Sequence, residues 1–371
     1  MKKSILTVVG GIAGLMLMVG LSFADSHMPD IHGFASGAYL WNFNDPIDGT
    51  NDARVFDSRH NTLSLDVAEI VFVNDATPES RAGYRLDVAY GFRIPALSTS
   101  GGVVGITGGD EIDVQQANVS YLAPVGNGLS LMFGKMITNL GAEVIEGYDG
   151  YNWNYSRSLL FGYAIPFTHT GLHATYPIND RVTVKAMLVN GWDVVDDNNK
   201  DKTYHLAASI TPMEGANLTI NWIDGAEQAG NDKLRRRVID VVASASLGED
   251  LSLMLNYDYG WEMDSSNVDA GGDAIWKGVA AYARYQMNEM CAMNVRWELF
   301  GDDDDTRIAA TTLGQETDVW EITLTPEYKM GDLVVRPEYR HDKADDNIFT
   351  KDDGTAQSSQ DTIALNVLYA F

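Results

Sequence analysis

The chain ends in Ile363, Ala364, Leu365, Asn366, Val367, Leu368, Tyr369, Ala370 and Phe371, and this run limits the folds open to it. In an extended strand, successive side chains point to opposite faces. Ile363, Leu365, Val367, Tyr369 and Phe371 therefore share one face, and Thr362, Ala364, Asn366, Leu368 and Ala370 share the other. Bulky apolar groups on one side and small or polar groups on the other suit a wall between lipid and water. A soluble fold closing on such a strand would leave a fraying, adhesive edge. A closed barrel removes the edge by pairing its last strand with its first. The expectation is an outer-membrane β-barrel.

The other end agrees. Lys2 and Lys3 precede an apolar stretch from Ile5 to Leu21, and Ser22-Phe23-Ala24 follows as a small-x-small cleavage site. Residues 1–24 are expected to be a secretory signal peptide and 25–371 the barrel domain. No later apolar run is long enough for a transmembrane helix. The chain holds 17 Tyr, 12 Phe, 8 Trp and 35 Gly against 10 Pro. Tyr and Trp favour membrane interfaces, where one end of the ring is dry and the other wet.

The formal net charge is −26, which excludes nucleic acid as a partner because phosphates need a basic surface. The acid gathers between candidate strands, at 193–201, 302–305 and 342–353. Cys291 is the single cysteine, so no intramolecular disulfide can form. No Cys-x-x-Cys-His occurs, so the chain attaches no c-type haem itself.

Alternating segments bounded by turn chemistry predict an all-β, antiparallel up-and-down transmembrane barrel of about sixteen strands. They fall at 32–42, 61–74, 82–92, 112–123, 129–138, 160–176, 182–190, 202–211, 216–224, 235–247, 251–260, 274–287, 290–300, 317–328, 333–341 and 361–371. Tyr84, Leu86, Val88, Tyr90 and Phe92 oppose Arg85, Asp87 and Ala89; Trp320, Ile322 and Leu324 oppose Glu321, Thr323 and Thr325. A soluble sandwich also alternates. The connections separate the two folds, because short ones such as 177–180 and 248–250 alternate with long ones such as 43–60, 93–111 and 139–159. Short periplasmic turns and long external loops mark bacterial outer-membrane barrels.

The stretch 134–176 reads GKMITNLGAEVIEGYDGYNWNYSRSLLFGYAIPFTHTGLHATY, and Asn190-Gly191-Trp192-Asp193 follows it. Upstream lies Phe56-Asp57-Ser58-Arg59-His60-Asn61-Thr62-Leu63-Ser64-Leu65. Together these resemble the putative β-barrel porin-2, OmpL-like family of Gram-negative outer membranes. The resemblance covers most of the chain after residue 24 and is densest at 134–193. It implies a porin-type barrel with a diffusion function and names no solute.

In general porins the third external loop dips into the lumen. By that similarity the third long connection, 139–159, is expected to form a constriction, with Glu143, Glu146 and Asp149 as its acidic face and Arg157 near its exit. The competing expectation is a loop packed over the mouth by Tyr148, Tyr151, Trp153 and Tyr155. Alternation places Arg336, Glu338 and Arg340 toward the pore, opposite Leu333, Val335 and Tyr339, and likewise Arg85, Asp87, Arg236, Arg284 and Arg296. A charge on the lipid face would cost about 2–4 kcal/mol at mid-membrane. Basic walls facing an acidic loop would set a transverse field across the lumen; the alternative is a set of salt bridges that only stiffen the wall.

His169 and His173 share a strand face, at a spacing too wide for easy joint chelation. The run Gly101–Gly109 lacks the Lys-Ser/Thr ending of a phosphate loop. No metal or cofactor is expected. The leading function is a water-filled outer-membrane channel, weakly cation-selective, for passive diffusion of small hydrophilic solutes and ions. The alternatives are a barrel enzyme, disfavoured because no Gly-x-Ser-x-Gly or similar motif occurs, a secreted lectin-like sandwich, and a scaffold sheathing a partner such as a cytochrome. Expected partners are outer-membrane lipid and lipopolysaccharide, and the barrel-assembly machinery acting on the terminal strand through Tyr369 and Phe371. A homotrimer is the assembly that this strand number suggests.

Overall fold

The computed structural model describes residues 28–94, 111–264, 272–308 and 316–371. The expected signal peptide and the Gly101–Gly109 run lie outside them. Sixteen antiparallel strands close into one barrel. They are β1 Asp30–Asn42, β2 Thr62–Asn74, β3 Ala82–Gly91, β4 Glu111–Ala123, β5 Leu129–Ile137, β6 Thr168–Asn179, β7 Val182–Val189, β8 Thr203–Ile210, β9 Ala216–Ala226, β10 Arg235–Leu247, β11 Leu251–Glu262, β12 Ala274–Gln286, β13 Cys291–Asp302, β14 Thr317–Met330, β15 Leu333–Ala344 and β18 Ser359–Ala370. The two-residue strands β16 Phe349–Thr350 and β17 Ala356–Gln357 form a small hairpin within the last long connection.

Each barrel strand pairs with its chain neighbour, as an up-and-down barrel requires. The seam joins β1 to β18 from Phe34↔Ala370 to Asn42↔Thr362. Gly33 N–H donates to Phe371 O at 2.9 Å and Phe371 N–H to Gly33 O at 3.0 Å. The terminal carbonyl and amide thus belong to the closure. Deleting Phe371 removes both bonds, each worth about 1 kcal/mol, together with the ring that lies over Gly33. The expected result is a lower urea midpoint of the refolded barrel in detergent; an unchanged midpoint would contradict this account of the seam.

The two faces divide as the alternation predicts. Ile363, Leu365, Val367 and Tyr369 are exposed on the outside, as are Leu253, Leu255, Tyr257, Trp297, Leu299 and Leu324. Inward positions such as Asn294, Arg296, Glu298, Thr323, Arg336 and Asn366 are buried. Bulges break the pairing in three places among the described residues, one of them at Ile178 by the β6–β7 turn. Ser36 pairs with Val67 and Gly37 with Leu65, so Asp66 is the extra residue of β2, and both Asp66 and Val67 are buried. Asp87 pairs with Gln116 and Val88 with Val114, which makes Gln115 the extra residue of β4. Gly91 adopts φ +149° beside the first bulge, where a Cβ would sit 2.3 Å from Asp66 O.

One expected strand begins too early. Alternation predicts a strand over 160–176, but Leu159 to Phe167 is an apolar run without a strand's period. In the structure Leu160–Ala164 is a single π-helical turn and β6 starts at Thr168. The third long connection therefore runs over 138–167 and not 139–159. Its apolar residues meet a core inside the barrel rather than lipid: Leu159, Leu160, Phe161, Ile165 and Phe167 are buried with inward-facing Trp276 and Phe300.

A candidate pore site built by the third long connection

The 138–167 connection leaves β5, enters the barrel and returns to β6. It is held on the inner wall along its length. Ala142 N–H donates to Asn256 Oδ1 at 3.0 Å on β11. Asn154 Nδ2 donates to Thr325 Oγ1 at 2.7 Å on β14. Trp276 Nε1 on β12 donates to Ala164 O at 3.1 Å. Two inward carboxylates cap loop amides in pairs. Glu338 accepts from Tyr155 N–H at 2.6 Å and Ser156 N–H at 2.9 Å. Glu298 accepts from Leu159 and Leu160 N–H, both at 2.7 Å, at the start of the π-helical turn. Side-chain oxygens placed in this way satisfy amides that water cannot reach. The first long connection adds Phe56, whose ring stands 5.6 Å from Phe161 and 5.2 Å from Phe167.

Charge follows the same line. Arg296 binds Glu143 at 2.8 Å and Glu321 at 2.6 Å. Arg340 lies 3.6 Å from Glu321 and 2.7 Å from Asp342. Asp342 also meets Arg54 of the first long connection, which binds Asp57. The result is one alternating chain, Asp57–Arg54–Asp342–Arg340–Glu321–Arg296–Glu143, from the first loop across the wall to the third. Glu146 stands at the centre of a second group, 2.8 Å from Arg157, 3.0 Å from Arg336 and 3.1 Å from Arg93. Burial by itself would raise the Glu146 carboxyl, but Arg157, Arg336 and Arg93 outweigh it and hold the group well below the usual carboxylate range. Arg157 shows the other side of this crowding: burial and Arg93 bring its guanidinium below its ordinary value despite the Glu146 contact. A cavity of about 20 Å³ lies beside Glu146, Arg93 and Arg157 and has room for about one water.

These positions refine the sequence-based expectations. Glu143 and Glu146 are each 4% exposed, so they face arginines and not open water. Asp149 differs: its side chain is 48% exposed while it binds Arg85 at 2.7 Å. Arg157 lies within the Glu146 cluster. Arg296, Arg336 and Arg340 point inward yet are 0% exposed, because the loop covers them. Opposite charges meet at contact here, not across an open lumen, since desolvated ions gain most when directly paired. Glu338 caps loop amides; Arg284 pairs with Glu327 at 2.8 Å, Arg236 with Glu262 at 2.9 Å and Arg85 with Asp87 at 2.9 Å. Tyr369 and Phe371 lie exposed on the outer face.

Across the barrel, Thr175, Lys185, Ser209, Asn217, Thr219 and Ser244 of β6–β10 face inward and remain half-buried. One wall is thus covered by the loop, and the other presents hydroxyls, amides and Lys185. Arg93, Trp276, Glu298 and the Arg54–Asp57 pair were not singled out from sequence. Glu298 shares its strand face with Arg296, so alternation contained that signal; Arg93 lies just past β3, where alternation stops.

The family model described as putative beta-barrel porin-2, OmpL-like, matches residues 30–371. No curated protein matches the chain. Among solved structures, the outer-membrane channel DcaP of Acinetobacter baumannii aligns over 94% of this chain and 99% of its own, at 12% identity and a TM-score of 0.61. The trimer form of OmpT from Vibrio cholerae aligns over 94% of this chain and 100% of its own, at 14% identity and 0.59. The anion-selective porin of Comamonas acidovorans aligns over 92% and 99%, at 12% identity and 0.57. At these identities the likeness concerns the fold.

Proposed function

The chain belongs to the putative β-barrel porin-2, OmpL-like family and is a multi-pass β-barrel of the outer membrane; from that premise we propose that it is a non-enzymatic channel for passive diffusion of small hydrophilic solutes and ions. The observation that carries this reading is the two-faced closed wall, apolar outside and polar inside, with the 138–167 connection bonded to its inner face. A sixteen-stranded barrel is wide enough to leave an aqueous path beside such a loop.

Weak cation selectivity is the finer part of the proposal. The covered arginines are neutralised by contact, so they add little positive field to the open side of the lumen. The formal charge of −26 and the acidic runs at the long-loop end favour cations at the mouth. Planar-bilayer recording under a KCl gradient tests both parts. Discrete conductance steps and a reversal potential favouring K⁺ are expected. Asp149→Asn should weaken that preference, because Asp149 is the exposed carboxylate of the three on the loop. A chloride preference in the unmodified chain would overturn the selectivity, and an absence of steps would overturn the channel.

The proposal extends to a homotrimer, to lipopolysaccharide contact at the outer rim, and to recognition of β18 by assembly machinery. The sheath alternative gains no support, since the chain's own loop occupies the interior. Co-purification of a haem protein at fixed stoichiometry would revive it.

A further inference from the structure

Opposite the loop-covered wall, four adjacent strands set soft donors side by side. Met132 on β5 pairs in register with His173 on β6, His173 with Met187 on β7, and Met187 with His205 on β8. Further along the same strands toward the long-loop end, Met136 pairs with His169. Directly opposed residues in antiparallel strands hold their Cβ atoms about 4.5–5.5 Å apart. The flanking Phe133, Leu172, Leu188, Tyr204 and Leu206 are exposed to lipid, so these six residues face inward; His169 meets Gly191 O at 3.1 Å and Thr138 Oγ1 at 3.2 Å, which leaves the other five as donors. Met136 and Met187 form one packed cluster with Val189, and Met132 packs against it.

Two atoms converge on a single point. Asn139 Nδ2, at the root of the long loop, lies 3.4 Å from Met187 Sδ and 3.5 Å from His173 Nε2. A third donor is unused. His205 is fully buried; its Nε2 meets Asn221 Oδ1 at 3.1 Å, and its Nδ1 has no partner. An unmatched buried ring nitrogen costs free energy unless something binds it. The spacing that keeps His169 and His173 from chelating together is filled across the strands by thioethers, whose flexible stems can bring sulfur to a shared position.

We propose that this patch binds a soft monovalent metal ion, Cu(I), on the inner wall of the barrel. The donors are neutral: no carboxylate belongs to the set, and the nearby cation Lys185 is held 3.1 Å from Asn139 Oδ1. Among the described residues no group of three or more His, Cys, Asp or Glu is placed to hold a metal ion, so the assignment rests on the thioethers. Thioether sulfur selects Cu(I), whereas imidazole alone suits Zn²⁺ and Cu²⁺ as well. With no carboxylate in the set and Lys185 nearby, a divalent ion would lack charge compensation and meet more repulsion than a monovalent one.

The test uses the refolded full chain in detergent without oxygen, with Cu(I) added alone and Ag(I) as its redox-inert counterpart. Roughly one ion per chain should resist a chromophoric Cu(I) chelator, and X-ray absorption should show sulfur beside nitrogen around copper. Met136→Leu/Met187→Leu should weaken binding at least about tenfold without changing heat-modified gel mobility, and His341→Gln on the outer surface should leave binding unchanged. Excess Zn²⁺ should not displace the ion. No retained copper, a shell without sulfur in the unmodified chain, undiminished binding in the leucine variant, or displacement by equimolar Zn²⁺ would each overturn the assignment. The absorption spectrum of the unmodified protein decides the matter even where the double variant does not fold.

Discussion

Replacing Glu146 with Gln should destabilise the folded barrel by about 3–5 kcal/mol, the cost of stripping one partner from a buried ion cluster. Gln keeps the shape of the side chain but leaves Arg93, Arg157 and Arg336 without their shared counter-ion. Urea titration followed by gel mobility measures the loss, and an unchanged midpoint would refute the central role given to Glu146. The pH dependence has a definite sign. The folded-state value of Glu146 is depressed, so its stabilisation is fully present above the unfolded carboxylate value of about 4.3 and fades as pH falls toward the folded value. The unmodified barrel should therefore weaken below about pH 4, and the Gln variant should show a flatter acid limb.

Replacing residues 141–164 with a short Gly-Ser bridge should have the larger effect on conduction. The segment carries Glu143, Glu146 and Asp149 against Arg157, so its removal takes away net negative charge. It also uncovers Arg296, Arg336 and Arg340, which are now 0% exposed beneath it. Arg296 and Arg340 keep Glu321 and Asp342 as partners, and Glu298 and Glu338 are bared beside them, so the shift in ion preference comes from the acid lost with the loop. Single-channel conductance should rise several-fold, and the reversal potential should move toward chloride. A wider pore with unchanged selectivity would show that the loop carboxylates do not govern ion preference; unchanged conductance would show that the loop does not constrict.

The barrel was legible because its determinants are local. Outward residues such as Leu253, Leu255 and Tyr257 must meet lipid whatever lies inside, so alternation alone marks the lipid face. Strand ends agree to within a few residues except at 160–167, an apolar run that joins the core inside the barrel instead of extending β6. Periodicity registers that side chains are apolar, not which dry surface receives them. The inward direction of Arg296, Arg336 and Arg340 was also readable, but their burial was not. Bulges at Asp66 and Gln115 left no mark on the alternation that would have located them.

The sequence by itself determined a closed, lipid-facing wall, the ends at which short and long connections lie, and the inward turn of the charged strand residues, because each depends on a two-residue period and on the cost of charge in hydrocarbon. Only the tertiary structure decided which inward charge meets which. Glu143 and Arg296 are far apart in the chain, and their contact exists because a loop from β5 crosses the lumen to strands that the closure of the barrel places opposite. That pairing turns an expected field across water into a set of buried contacts, since an ion removed from water is stable only against a direct partner.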